Sequence, residues 1–178
     1  SNSYMAYEAM RLTQDVEDLR AAGEPKADLD WQAAQEFLAQ VQNLKGVNTN
    51  SYASEDADNQ GGFAYSPGAG ASVTNAEGKV TLRSYGSMTY AGLLALIYAQ
   101  VDAQDTRVQS AKDWASRHWS LDENPGMGPE GLYYFFNVLA KCLQAAGDDT
   151  LTLPDGRTVV WREEVVRKLL ALQKPEGF

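Results

Sequence analysis

Few side chains in this sequence are able to do acid, metal or thiol chemistry, and their spacing limits what they can do. Cys142 and His118 are the only residues of their kinds. A lone thiol forms no internal disulfide and leaves no cysteine cluster for a structural zinc. Cys142 sits in an apolar run and reads as a small buried hydrophobe; His118, between Arg117 and Trp119, reads as a helix-end residue facing carbonyls. Carboxylates crowd in three places: Asp28-Leu29-Asp30, Glu55-Asp56-Ala57-Asp58 and Asp148-Asp149. Neighbouring carboxylates shift one another's acidity or hold a divalent cation. Asp28 and Asp30, just ahead of Trp31, fit better as a helix N-terminus, where anions meet free N–H groups. Asp148-Asp149 runs on into Thr150-Leu151-Thr152, which breaks the Asp-Asp-x-x-Asp spacing that holds magnesium.

Whatever these groups do, helices must place them. Apolar spacing near 3.6 residues predicts six helical segments, at 4–21, 30–44, 87–101, 106–119, 130–146 and 161–174, grouped as three pairs. The first members of the later pairs, Ser87–Tyr98 and Gly131–Ala140, are rich in small and aromatic residues and read as buried on most sides. The second members, such as Trp161–Lys168, carry charge on one face and read as an outer layer. Asp30, Asp105 and Ser87 each stand where a helix cap is expected. Glu77-Gly78 and Asp155-Gly156, each between short β-prone runs, predict two small hairpins. The glycine-rich stretch from Gly46 to Gly86 is too long for a structureless loop, so it should carry short elements or line a site. The segment Ala34–Gly46 is echoed by Leu169–Phe178: in both, a Leu four residues before a Gln closes a helix.

Charge narrows the partners. Fifteen basic against twenty-four acidic residues leave a net charge of -9, so nucleic acid and anionic bilayers are repelled over most of the surface. No apolar run is long enough for a transmembrane helix; the best, Ala91–Tyr98, is far too short. The chain, 178 residues read as one domain, opens on Ser-Asn-Ser and stops inside a repeat-like motif, which reads as a segment of a longer polypeptide. Neither compartment nor oligomeric state is legible.

The alternation of inner and outer helices, with an aromatic-Leu-x-x-x-Gln helix end and a Gln-to-Gly turn, resembles the repeats of the squalene–hopene cyclase and protein prenyltransferase α/α-toroid superfamily. Gln60–Tyr65, Arg83–Gly92 and Leu121–Gly128 are similar in particular to a bacterial branch of prenyltransferase/squalene oxidase repeat proteins. In that motif a Gln at an outer-helix end bonds across to a neighbouring turn beside an aromatic ring. Gln42 and Gln173 hold the matching positions and Phe37 supplies an aromatic. The middle unit aligns Trp114 with Phe37 and puts Trp119 at the Gln position, and the last unit has Lys168 at the aromatic one. The resemblance implies an all-α fold, an α/α toroid built as a partial ring of about three inner/outer helical hairpins over residues 1–178, with the β-hairpins as decorations.

Its chemistry does not carry over. The cyclase acid Asp-x-Asp-Asp is missing from Asp28-Leu29-Asp30-Trp31 and from Glu55–Asn59. The prenyltransferase zinc motif Asp-x-Cys fails because Ala140 stands where Asp should precede Cys142. The thioester of the complement relatives is absent too, so no cofactor and no metal is expected. The resemblance does imply a central cavity at the inner-helix ends and their entry loops, presenting Arg83, Tyr85, Tyr90, Asp122, Glu123 and Tyr133, with Asp58 and Tyr65 beside them. Such a group could bind a sugar or guard a cation; alternatively the tyrosines are core and Asp122-Glu123-Asn124-Pro125 is a turn and cap.

Three functions follow: a cyclase- or prenyltransferase-like protein acting on or binding an isoprenoid; a non-catalytic binding or scaffold module; or a carbohydrate-active protein pairing Asp58 with Asp122 or Glu123 at about 5–10 Å.

Overall fold

The computed structural model describes residues 2–14, 21–24 and 30–177. Among them run six helices, α1 (Asn2–Thr13), α2 (Trp31–Val41), α3 (Gly86–Tyr98), α4 (Thr106–Arg117), α5 (Leu132–Ala146) and α6 (Trp161–Leu172). Two antiparallel hairpins join them, β1 (Ser72–Thr74) with β2 (Val80–Leu82) and β3 (Leu151–Thr152) with β4 (Thr158–Val159). The expected hairpins stand in register, Val73 opposite Thr81 and Leu151 opposite Val159. Residues 15–20 of the first expected helix, and Asp28, lie outside the described residues.

The core is organised around α3. Eleven consecutive residues, Gly86 to Leu96, are buried, so the helix has no wet face, as its lack of a polar stripe requires. Burying each of Leu93, Leu94 and Leu96 contributes about 1.5–3 kcal/mol. Small residues set the approach distance: a Cβ at Gly92 would stand 2.4 Å from the Phe63 ring, so the ring rests directly on helix backbone. The second helices α2 and α4 bury one stripe each, Ala34, Leu38 and Val41 in the first and Val108, Ala111, Trp114 and Ala115 in the second.

The expected partial ring around a hollow is not what these helices build. In a ring, the concave face of an inner helix looks into the cavity. Here α1 and α5 both pack on α3 and also meet each other, Lys141 Nζ lying 2.9 Å from Glu8 Oε2. Tyr98 donates to the same Glu8, and Arg11 Nε donates to the Tyr98 carbonyl at 2.7 Å. With Gly86–Leu96 buried throughout, α3 faces no ligand-sized hollow, only a gap of about 30 Å³ on its α1 and α2 side. The molecule is mostly helical with two small hairpins, and it is not a toroid.

Caps and clamps fix the element ends. Asp30 Oδ1 accepts from the Gln32 and Ala33 amides, and Asp105 Oδ1 from the Arg107 amide, both as expected. Ser87 does not cap α3. It lies inside the helix, and its amide donates to Asn124 Oδ1 at 2.9 Å, while the Gly86 amide donates to the Pro125 carbonyl. The first turn of α3 is thus satisfied by the 121–128 loop, where Asn124 also donates to Ser87 Oγ and the Glu130 carbonyl. The Gln42 amide, fully buried, bridges the end of α2 to the Gly61 carbonyl at 2.9 Å and to the Arg107 carbonyl in the first turn of α4 at 2.8 Å. The long 46–86 segment is held by a buried polar network in which Asn43 donates to the Leu82 carbonyl and Ser84 Oγ, and Asn59 accepts from the Ser84 amide.

Candidate tyrosine and arginine site

Three of the eight expected site residues come together. Arg83 and Tyr65, on the segments leading to α3, each lie within electrostatic reach of Tyr85, the extended residue that opens it. The structure adds two that sequence reasoning missed, Tyr4 of α1 and Tyr134 of α5. The tyrosine phenols form one group, with Tyr134 influenced by Tyr4, Tyr85 and Tyr65. The meeting of α1 and α5 that excludes a hollow is what assembles it.

The polar heads in this group are short of partners. The Tyr4 and Tyr134 phenols lie close together, and both hydroxyls are buried without a well-formed hydrogen bond among the described residues. Arg83 donates from Nη2 to Met127 Sδ at 3.4 Å, a weak acceptor, and its buried Nε has no partner. No carboxylate lies within ion-pair distance of Arg83 among the described residues. Leaving buried donors unpaired costs about 1–3 kcal/mol each. Burial pushes the Tyr85 phenol up to about 12, with Tyr65 adding to the rise and Arg83 opposing it. Burial likewise raises Tyr134. Both phenols are therefore neutral donors at neutral pH.

Two members of this group, Tyr4 and Tyr65, also line a cavity of about 30 Å³ between α1, α2 and α3, together with Phe37, Phe63 and Met88. That is room for one or two waters, or for a methyl-bearing chain end, and it is open at one side. Polar donors above an apolar slot can hold the oxygen-rich head of an amphiphile while its apolar end is buried.

The other expected residues go elsewhere. Tyr90 is core, packed on Phe135 at 5.8 Å with its hydroxyl unpartnered, and burial beside Cys142 raises its phenol. Tyr133 is 65% exposed on the opposite flank of α5 from Tyr134. Asp122 is tied to Lys168 of α6 at 2.6 Å, and Glu123 is exposed. Asp58 is exposed and acts through its backbone, its carbonyl accepting from the Trp114 indole at 2.8 Å. Of the expected pairing of Asp58 with Asp122 or Glu123, the Asp122 carboxylate is taken by Lys168. His118 stacks on Trp114 with ring centroids 4.3 Å apart; burial and then Arg117 hold its imidazole below the usual value. Cys142 is fully buried and its thiol is raised by that burial. No cluster of three metal-ligating side chains forms among the described residues, and no helix among them is long and apolar enough to cross a membrane.

The missed pair left a faint trace. Tyr133 and Tyr134 are adjacent, so a helix turns one in and one out, and only the packing partner decides which. Family models, curated proteins and solved structures yield no match to this chain.

Proposed function

We propose that this protein is a non-catalytic binding module for a small amphiphile with an oxyanion head and a branched apolar end, of which a short isoprenoid diphosphate is the chemical type. The observation that carries the reading is a set of buried donors without partners among the described residues, the Tyr4 and Tyr134 hydroxyls and Arg83 Nε, with Tyr4 also lining an aromatic slot. An oxyanion would satisfy all three, and charge-assisted bonds to Arg83 would supply most of the affinity. The slot accepts only a chain tip, so a longer chain would lie along the surface past the exposed Tyr65. The isoprenoid end of the proposal rests on the repeat resemblance of Gln60–Tyr65 and Arg83–Gly92.

Calorimetry with geranyl diphosphate, geraniol and inorganic pyrophosphate tests it. Geranyl diphosphate should bind more tightly than either part alone, and Arg83→Ala and Tyr134→Phe should each weaken it about tenfold, equivalent to about 1.4 kcal/mol. Absence of binding by all three compounds, or equal binding by wild type and Arg83→Ala, would refute the site.

A further inference from the structure

We propose that this chain assembles head to tail, with α6 and Gln173 of one molecule docking on α1 and the first turn of α2 of a second copy. The second-member helices are linked in series by their ends. Gln42 closes α2 and its amide reaches the Arg107 carbonyl, the second residue of α4. Trp119, just past α4, donates from its indole to Glu164 of α6 at 3.1 Å. Gln173 closes α6 in the conformation of Gln42, with φ/ψ of -66/127 against -85/131 and the same amide bond to the Leu four residues earlier. Gln42 is wholly buried; the Gln173 amide is exposed and, among the described residues, reaches only the Gly177 carbonyl at a long 3.4 Å.

The helix bodies repeat the contrast. Leu38 of α2 is 3% exposed, whereas Leu169, at the same place in α6, is 42% exposed, with Leu170 and Val166 open beside it. Leu169 and Leu170, with Leu172 and with Tyr133 of α5, border an apolar groove of about 310 Å³ that also includes Gln173. Four large apolar side chains and a weakly held amide on one flank form a prepared contact, because single scattered apolar residues are ordinary and a contiguous set is not.

A second copy carries the matching parts. Within the chain, the α2 face is covered by α3, and the Gln42 amide is taken by the helix that follows α3. The preceding first-member helix, α1, presents Met5, Ala9 and Leu12 to solvent at a spacing that forms one stripe, with Met5 47% and Leu12 71% exposed. The helix after it, α2, opens like α4 on an Asp cap, and Gln32 occupies the place of Arg107. Docking of the α6 face on the α1 stripe would let Gln173 reach the Gln32 carbonyl, continuing the existing series between molecules. The two faces differ, so the contact is heterologous.

Sedimentation from about 1 to about 200 µM tests this, and its outcome is independent of ligand binding. The wild type should rise above its 19.5 kDa monomer mass with concentration, and Gln173→Ala should weaken association about tenfold. Leu12→Glu and Leu170→Glu, both on exposed positions, should each give monomers with unchanged helical circular dichroism. Mixed in equal amounts they should form a one-to-one pair and stop, because each supplies the face the other has lost. A wild type that stays monomeric throughout, a loss caused by Leu170→Glu but not Leu12→Glu, or a mixture that remains monomeric would each overturn the proposal.

Discussion

Gln42 and Gln173 are the same residue at the same helix end with opposite surroundings, so a pair of substitutions separates their roles. Gln42→Ala removes two bonds made by a fully buried side chain and leaves the Gly61 carbonyl short of a donor. It should lower stability to urea by about 2–4 kcal/mol, whereas exposed Gln173→Ala in the monomer should stay within about 0.5 kcal/mol. Equal effects would contradict the bridging role of Gln42. The acid response of His118 has a definite sign. Its folded value lies below the unfolded one, so the stability held by the neutral ring is present above about pH 6.5 and is lost as pH falls through the lower folded value. Wild type should lose more stability between about pH 7 and about pH 5 than His118→Gln does; matching slopes would rule this out. At this scale the sequence exposes what repeats and hides what converges. Gln42 stood out because its motif recurs, while Tyr4 shares a site with Tyr134 only through contacts across 130 positions.

The six helices and both hairpins were legible as elements, since apolar period and Asx-Gly or Glu-Gly turns act locally. Their ends were less so, because end geometry is decided by remote partners. Ser87 has the chemistry of a cap, yet Asn124 from another loop takes the position and leaves Ser87 within α3. Replacing Asn124 with Ala should therefore destabilise the fold by about 2–3 kcal/mol, although its own segment is a loop; a change below about 0.5 kcal/mol in chemical denaturation would show that water replaces it. Gly92→Ala tests the closest approach in the core. Its new methyl has no room against Phe63, so overpacking should cost about 1–3 kcal/mol, whereas an ordinary glycine-to-alanine change in a helix stabilises it.

Local patterns announced an inner and an outer layer, and that distinction holds best for α3. They did not announce closure. Curvature is set by how far neighbouring inner helices stand apart, and here the Glu8–Lys141 and Tyr4–Tyr134 meetings draw α1 and α5 together over α3. A ring and a closed cluster share the same apolar periodicity, so the ring rested on the repeat resemblance alone. The enclosed geometry sets an order of opening under native conditions. Amides of α3 should exchange only with global unfolding, whereas α6, which buries only Trp161 and Val165, should exchange through a cheaper local opening. Hydrogen-exchange mass spectrometry giving equal protection for both would refute that hierarchy.

Cys142 turns the same enclosure into a clock. As the sole sulfhydryl, wholly covered and held in its protonated form, it is unreactive toward alkylating reagents until α5 parts from its neighbours. Mass gained from iodoacetamide would then count single opening events of the molecule, one adduct per opened chain, with no engineered label needed.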